Sequence, residues 1–452
     1  MLAIVYIFVV ISLLLLLITY FFSKSLCFAL ILPLRACVNQ MIGIKLLNVS
    51  GVELNPGDIL GLVTIVLCIL FIITNYQSIF STSMARRISV AIFLLLVWYL
   101  LTAGLSDATF FNLKKWAKMA SWLLLVPVAV VVFDSLEEIS TLRRWAIISL
   151  VITLSSVLIA NIFGVGPVAY ANKGGLEQGF HLGYYASESA LSLALAMAIP
   201  LLFLPYLKDH KTKAKLSKFA FLLLLINFVC ILSIFVRASI LAVLLGMIVY
   251  IFLSRKNKST GLSYLAATGI VVSIIAVIAV FSLTHQAQIK LRFTDVKSYQ
   301  ERKGEIESLG SGRVWLLEKY FEQWRSRGTV YQILGVDTGT GGGQKIDYRL
   351  SSGTHNDIMT MLFRGGIVGL ILFVWLIWQI FRVLLTRLRG NPDDVSHHLA
   401  VVGFSALAIY GIFIIHGGIY QILPMSYFAM LIGTVAAYRL PTAQISVSSE
   451  SI

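Results

Sequence analysis

A succession of long apolar segments constrains the fold of this chain more than any other feature. The segment from Leu2 to Phe22 contains no charged residue, and a helix needs about 20 such residues to cross about 30 Å of hydrocarbon. The sequence is 58% hydrophobic and 13% charged, and its mean hydropathy is +0.88. A water-soluble domain does not reach these values. We therefore predict an all-α integral membrane protein.

The apolar segments predict about twelve transmembrane helices. Loops rich in lysine and arginine stay in the cytoplasm, and the loops at 208–218, 255–258 and 382–389 set the orientation. With both termini in the cytoplasm, the segment 24–50 must be interfacial or only partly inserted; if it spans, the count becomes 13 and the N-terminus lies outside. The predicted spans are 2–22, 59–78, 88–105, 117–133, 143–163, 187–206, 218–236, 238–254, 262–284, 366–385, 398–416 and 421–438.

This topology divides the chain into three parts. Residues 1–284 form an N-terminal transmembrane helix bundle, 285–365 a large periplasmic loop, and 366–452 the C-terminal transmembrane helices with a short cytoplasmic tail. Within the large loop, 311–326 has its aromatic residues spaced for a helix that lies on the membrane surface. We expect the protein in the bacterial inner membrane, with this loop in the periplasm.

Charge and cysteine content argue against nucleic-acid binding and against metal binding. The formal net charge is +15, but the basic residues are scattered over short loops, so membrane topology explains them. The four cysteines, Cys27, Cys37, Cys68 and Cys230, lack the spacing of metal ligands. No paired acidic motif is convincing on the predicted outer side. We expect no nucleic-acid partner, no metal and no cofactor.

Several cations are predicted on the outer side, against the usual distribution of positive charge. They are Lys114, Lys115, Lys118, Arg237 and Arg313. An anionic ligand such as a lipid-linked phosphate would explain them, because ammonium and guanidinium groups bind phosphate oxygens by charge-assisted hydrogen bonds. The alternatives are a solvated or snorkelling arginine at 237 and an ordinary surface arginine at 313.

A polar segment that includes His355 and Asn356 precedes the span at 366–385. Arg364 lies between this segment and the span. A histidine here can take a proton from a sugar hydroxyl near neutral pH. The alternative is a helix-capping cluster in which Thr354 or Asn356 caps and His355 only forms a hydrogen bond.

Five short motifs together resemble the O-antigen ligase and polymerase superfamily. They are NLKKWAKMASWLLLVP from Asn112, FVRASILAVLLG from Phe235, SGR at 311–313, THND from Thr354 and RGGIVGLILF from Arg364. The resemblance implies a membrane glycosyltransferase with a GT-C-like fold. It would act at the periplasmic face on a glycan linked to undecaprenyl diphosphate, without a metal or a nucleotide sugar.

The resemblance also implies roles for individual residues. Arg237 and Arg313 would bind the diphosphate leaving group, and His355 would activate or position the acceptor hydroxyl. One lysine of the 114–118 group would be a further phosphate contact, with Asn356 and Arg364 as additional substrate-binding residues.

The resemblance leaves the acceptor open. A polymerase, which we favour, transfers the glycan to another lipid-linked repeat, and a ligase transfers it to lipid A core. Membrane lipids, a flippase and a chain-length regulator are the further expected partners. Two other classes remain as alternatives: an envelope assembly protein, and a transporter or flippase with polar residues in mid-membrane, for which Asn75, Asn161 and Asn227 are candidates.

Overall fold

The computed structural model describes a bundle of helices with two short β-hairpins. It describes residues 2–41, 43–106, 109–168, 180–183, 185, 187–208, 211–213, 217–234, 236–254, 313–335, 356–391 and 394–438. The helices are α1 (Leu2–Phe22), α2 (Lys24–Asn39), α3 (Pro56–Thr74), α4 (Tyr76–Ile79), α5 (Ser83–Gly104), α6 (Thr109–Leu123), α7 (Leu125–Val132), α8 (Leu136–Phe163), α9 (Glu188–Leu202), α10 (Lys218–Ile234), α11 (Arg237–Ser254), α12 (Arg313–Arg325), α13 (Thr329–Leu334), α14 (Asp357–Leu388), α15 (Val395–Ile414) and α16 (Ile422–Ala437). The strands β1 (Leu47–Val49) and β2 (Val52–Leu54) pair antiparallel, as do β3 (Tyr206–Lys208) and β4 (Lys211–Lys213).

The membrane character predicted from the sequence agrees with these helices. Among the described residues, eight helical segments are long and apolar enough to cross a membrane, with α6 and α7 counted together as one. The shorter apolar helices α9, α10 and α16 lie where further spans were predicted. The predicted span 262–284 lies outside the described residues, so the count of twelve and the GT-C-like fold stay predictions.

The helix α2 packs inside the bundle; the sequence left its segment open to an interfacial, a partly inserted or a spanning position. Every residue from Cys27 to Pro33 is buried, and the helix packs against α8, α1 and α3. The buried guanidinium of Arg35 donates hydrogen bonds to the Ser121 carbonyl oxygen, at 2.9 Å, and to the Ser426 hydroxyl. These contacts place α2 among other helices of the protein and do not fix its depth in the membrane, so the interfacial alternative stays a prediction. The 16 residues of α2 cover about 24 Å, so partial insertion also stays a prediction.

The helix α14 begins nine residues before its predicted start and bends where the prediction had placed that start. Gly366 has φ 61° and ψ −162°, a non-helical conformation that glycine adopts without the steric cost of a Cβ. Its neighbour Gly365 packs against α5: a Cβ there would lie 2.7 Å from the Tyr99 hydroxyl, and Trp98 Nε1 donates to the Gly365 carbonyl oxygen at 2.8 Å. The bend separates a short first segment, 357–365, from the long apolar remainder.

Antiparallel packing of the helices gives the bundle two distinct ends. At one end, here called the upper end, α14 begins beside the end of α5, because Tyr99 donates to the Met361 carbonyl oxygen at 2.7 Å. At the opposite, lower end, His398 donates to the Phe203 carbonyl oxygen at 2.8 Å and His397 to that of Leu388 at 2.9 Å. The start of α6, 109–116, and the segment 356–365, both predicted on the outer side, lie at the upper end. Which end faces the periplasm stays a prediction.

Candidate functional site

The helix α6 divides its three lysines between two faces. Lys114 and Lys118 are four residues apart and share a face, whereas Lys115 is rotated by about 100° from Lys114. The first face turns toward α3 and the second toward α14. The sequence alone does not show which of these lysines would contact a phosphate. The side chains around Lys115 differ from those around Lys114 and Lys118.

Lys115 lies beside Arg364 at the upper end, and the two are called the cation pair below. The Lys115 ammonium is 5.4 Å from the ring centre of Phe111 and 5.0 Å from that of Tyr420. The Arg364 guanidinium carbon is 5.8 Å and 5.6 Å from the same two rings. The electron-rich faces of the rings attract both cations, so two aromatic side chains hold two like charges together.

Asn112 fixes the guanidinium of Arg364. Its side-chain oxygen accepts from Arg364 Nη1 at 2.6 Å, and its side-chain nitrogen donates to the Ser106 hydroxyl at 2.6 Å. Asn112 is buried, and the hydrogen bond to Ser106 orients its oxygen toward Arg364. The arginine is thus held in place by a neutral acceptor.

No carboxylate neutralises the cation pair among the described residues, since neither member forms a salt bridge there. The cavity between them is lined by Tyr99, Asn112 and Tyr420 and measures about 10 Å³, which is room for about one water molecule. Lys115, Arg364 and Tyr420 are only half-buried. An anion can therefore approach both cations from the exposed side.

Asp357 holds the loop that brings Tyr420 to the cation pair. Its carboxylate accepts from the backbone N–H of Ile419 at 3.0 Å and from the Tyr410 hydroxyl at 3.1 Å, and the side chain is fully buried. Trp122 Nε1 donates to the Ile419 carbonyl oxygen at 2.8 Å. Tyr420, which follows Ile419, is thereby fixed between α6, α14 and α15.

The other face of α6 carries a group of charges that includes a carboxylate, the Asp58 cluster, which consists of Asp58, Lys114 and Lys118. Asp58 oxygens lie 2.9 Å from the Lys114 ammonium and 3.5 Å from that of Lys118. Asp58 also forms a capping box with Asn55 at the start of α3, with reciprocal hydrogen bonds of 2.9 and 3.1 Å. Lys114 and Lys118, which we predicted as substrate ligands, thus have an acidic partner.

The structure shows the position of some of the remaining predicted site residues and not of others. Asn356 is buried and caps α14, because its side-chain oxygen accepts from the Met359 N–H at 3.1 Å, which is the geometry of the capping alternative. His355 lies outside the described residues. Arg313 is the first residue of α12, and this helix reaches the upper end because the rings of Tyr320 and Phe363 lie 5.6 Å apart.

Arg237 also belongs to the upper end. It is exposed at the first position of α11, and α11 runs antiparallel to α15, with Ser405 donating to the Gly246 carbonyl oxygen at 2.9 Å. Tyr250 of α11 stacks edge-on with His398 at the lower end, and 13 residues of helix before it span about 20 Å. The structure therefore brings α6, α11, α12 and α14 to one end, and it brings Lys115 and Arg364 into contact with the same rings.

The sequence reasoning missed four residues of this arrangement: Phe111, Asn112, Asp357 as an anchor, and Tyr420. Asn112 begins the motif that contains the lysines, so its position next to them was a usable signal. Tyr420 is 56 residues from Arg364 along the chain, and no local pattern links the two. Among the described residues, no group of three or more His, Cys, Asp or Glu side chains could hold a metal ion.

Comparison of the sequence with protein-family models and with curated proteins finds no match to either. The resemblance to the O-antigen ligase and polymerase superfamily therefore rests on the five motifs alone and stays a prediction.

Proposed function

We propose that this protein is a membrane glycosyltransferase that uses a glycan linked to undecaprenyl diphosphate as its donor, at the periplasmic face of the inner membrane. The observation that supports this most is the cation pair: Lys115 and Arg364 share two aromatic rings and lack a carboxylate partner among the described residues. Two uncompensated cations held side by side are costly unless an anion completes them.

A diphosphate meets this requirement in its charge and in its hydrogen-bond acceptors. Its oxygens can accept from the guanidinium fork of Arg364 and from the ammonium of Lys115. In the transfer, the bond between the sugar anomeric carbon and the diphosphate oxygen breaks, and the electron pair stays on the diphosphate. The acceptor hydroxyl oxygen bonds to that carbon and loses its proton to a base. Cations fixed in advance stabilise the charge that develops on the leaving group.

His355 is the proposed base. It immediately precedes Asn356, the capping residue of α14, and Arg364 lies about two helical turns further along the same helix. Arg237 and Arg313 are proposed as further diphosphate ligands because both begin helices that reach the upper end. Asn356 acts here by fixing the start of α14, and a substrate contact is not needed for that role.

Repeat-unit polymerisation is the proposed reaction, and ligation to lipid A core uses the same donor chemistry. Both follow from the motif resemblance and differ in the acceptor. The proposed experiment distinguishes them, because a lost polymerase and a lost ligase leave different products behind.

The test is the glycan profile of cells that lack this protein, complemented at equal membrane expression with wild type, Arg364→Gln or Lys115→Met. Lys45→Gln is the matched control, because Lys45 is an exposed lysine in an ion pair with Glu53. Each cation-pair variant is expected to lower transfer about 100-fold to 1,000-fold, the usual effect of losing one charge-stabilising group. The control is expected to match wild type.

The products assign the reaction. Loss of a chain-length ladder, with single repeats on lipid A core, identifies a polymerase. Long glycan that accumulates on undecaprenyl diphosphate identifies a ligase. An unchanged profile in the deletion and in both variants would contradict the proposal and favour a transporter.

The three asparagines considered for a transport path form hydrogen bonds to the protein backbone. Asn75 ends α3 and donates to the Phe71 carbonyl oxygen at 3.0 Å; Asn161 bonds to the backbone of His181 at 2.8 and 2.9 Å. Asn227 is fully buried and donates to the Leu195 carbonyl oxygen at 2.9 Å. The contacts of Asn161 and Asn227 tie segments of the bundle together, and that of Asn75 lies within its own helix, so these hydrogen bonds do not favour the transporter.

A further inference from the structure

A second cavity lies on the opposite face of α6 from the cation pair. It measures about 190 Å³ and is enclosed by the hairpin of β1 and β2, by α3 and by α6. It is the larger of the two cavities described here, and its position is separate from that of Arg364. Nothing in the proposed glycosyl transfer requires it.

The hairpin supplies an apolar wall to this cavity. Alternate residues of a strand point to the same face, and the pairing of Val49 with Val52 and of Leu47 with Leu54 places four apolar side chains on one face. Val49, Val52 and Leu54 line the cavity. Glu53 points to the other face, where it pairs with Lys45 at 2.7 Å.

The helices supply the remaining wall and leave the cavity partly open. Leu62 of α3 and Phe110 of α6 both line it, and they are 44% and 52% exposed. An opening bordered by apolar side chains suits a hydrocarbon chain better than a hydrophilic ligand. The chain can enter from the surface that these two residues share.

The Asp58 cluster gives one end of the cavity an excess of positive charge. Asp58, Lys114 and Lys118 all line it, so two ammonium groups face one carboxylate, with a formal excess of one positive charge. Lys118 lies 3.5 Å from Asp58, beyond the 2.9 Å of the Lys114 pair. A ligand with one negative charge would complete this group.

We infer that this cavity binds one acyl chain of an anionic phospholipid whose phosphodiester contacts Lys118 and Lys114. The apolar wall takes the chain, and the excess positive charge selects an anionic headgroup over a zwitterionic one. This site is independent of the proposed glycosyl transfer, because it uses neither Lys115 nor Arg364. It would anchor the hairpin and α6 to the surrounding lipid.

The experiment uses the purified full-length protein, stripped of lipid in detergent and then exposed to an equimolar mixture of phosphatidylglycerol and phosphatidylcholine. Native mass spectrometry counts the lipid adducts. Wild type is expected to retain one phosphatidylglycerol with about a tenfold preference over phosphatidylcholine, the size expected for basic side chains at an anionic headgroup.

Three variants test the two halves of the site. Lys118→Gln leaves the closer Lys114–Asp58 pair in place and is expected to abolish the preference while phosphatidylcholine binding stays. Ala117→Phe fills the cavity and is expected to abolish both adducts; Leu62→Trp does so from an exposed position if Ala117→Phe fails to fold. Lys45→Gln is the matched control and is expected to bind as wild type does.

Several outcomes would overturn the inference. Equal binding of the two lipids by wild type removes the role of the lysines, and retention of the lipid by a folded cavity-filling variant removes the role of the cavity. Displacement of phosphatidylglycerol by inorganic phosphate would show that the cations bind a free anion and that no chain is held. Lipid binding and glycan transfer are measured separately, so failure of one leaves the other tested.

Discussion

The two faces of α6 place the same side chain in different electrostatic surroundings. On one face, Lys114 and Lys118 meet Asp58 at 2.9 and 3.5 Å. On the other, Lys115 shares two rings with Arg364, and no carboxylate compensates the pair among the described residues. A rotation of about 100° along one helix thus separates two lysines that have a carboxylate partner from one that has none among the described residues.

This difference shows how side chains around one helix can either pair its lysines with a carboxylate or hold a lysine beside another cation. Ion pairing on the first face supports the start of α3 and fixes α6 against it. The second face then keeps its two cations close without neutralising them, because Asn112 and the rings of Phe111 and Tyr420 orient them. Charges that stay uncompensated cost stability, and proteins concentrate such costs at functional sites.

The largest expected effect comes from removing the carboxylate of the Asp58 cluster. Asp58→Ala is expected to lower the free energy of unfolding by about 2–4 kcal/mol, because breaking a buried ion pair costs about 3–5 kcal/mol and the partner lysines are only 20% and 25% exposed. Loss of the capping box at α3 adds to this. Denaturant unfolding of the purified protein in detergent measures it.

The matched control combines Asp58→Ala with Lys114→Met. If the cost arises from uncompensated charge, the double variant is expected to recover about half of the loss. A double variant that is less stable than Asp58→Ala would show instead that Lys114 stabilises the fold without its partner.

A smaller effect is expected from the anchor of the uncompensated face. Asp357→Ala leaves the Ile419 N–H and the Tyr410 hydroxyl without their acceptor, and the expected cost is about 2 kcal/mol. Tyr410→Phe removes one of the two hydrogen bonds and is expected to cost about 1 kcal/mol. Equal costs for the two variants in denaturant unfolding would contradict the proposed anchoring of the loop before Tyr420.

The fold was predictable where its signals are local. Apolar length predicted the long helices, and the asparagine and aspartate three residues apart before the span at 59–78 match the capping box found at Asn55 and Asp58. The bend of α14 was not predicted. Its cause is the packing of Gly365 on Tyr99 and of Gly366 on the backbone of α13, and such contacts join segments far apart in sequence.

The candidate site shows the same division. Lysines at 114 and 118 and one at 115 must face different directions on a helix, so the sequence could have separated them. The identity of their partners depends on tertiary packing, since Asp58 and Arg364 come from other helices. The same holds for α2, whose buried Arg35 donates to Ser121 and Ser426 on other helices.

An effect of opposite sign is expected when the uncompensated face loses a charge. Lys115→Met keeps an apolar stem of similar length and removes the repulsion from Arg364. That repulsion is roughly 1–3 kcal/mol at an effective dielectric constant of 20, and the lost cation–π attraction is about 1 kcal/mol. The free energy of unfolding is therefore expected to rise by up to about 2 kcal/mol while glycan transfer falls. A loss of stability in the same unfolding measurement would mean that the pair is already compensated.

The smallest effect is expected at an exposed ion pair that belongs to neither face of α6. Lys45 and Glu53 lie 2.7 Å apart with side chains 68% and 47% exposed, and exposed pairs contribute about 0–1 kcal/mol because water and salt screen them. Lys45→Gln is expected to change the free energy of unfolding by less than about 0.5 kcal/mol, and added salt is expected to remove that difference. A cost close to that of Asp58→Ala would show that the distance between the charges, and not their burial, sets the cost of breaking an ion pair in this protein.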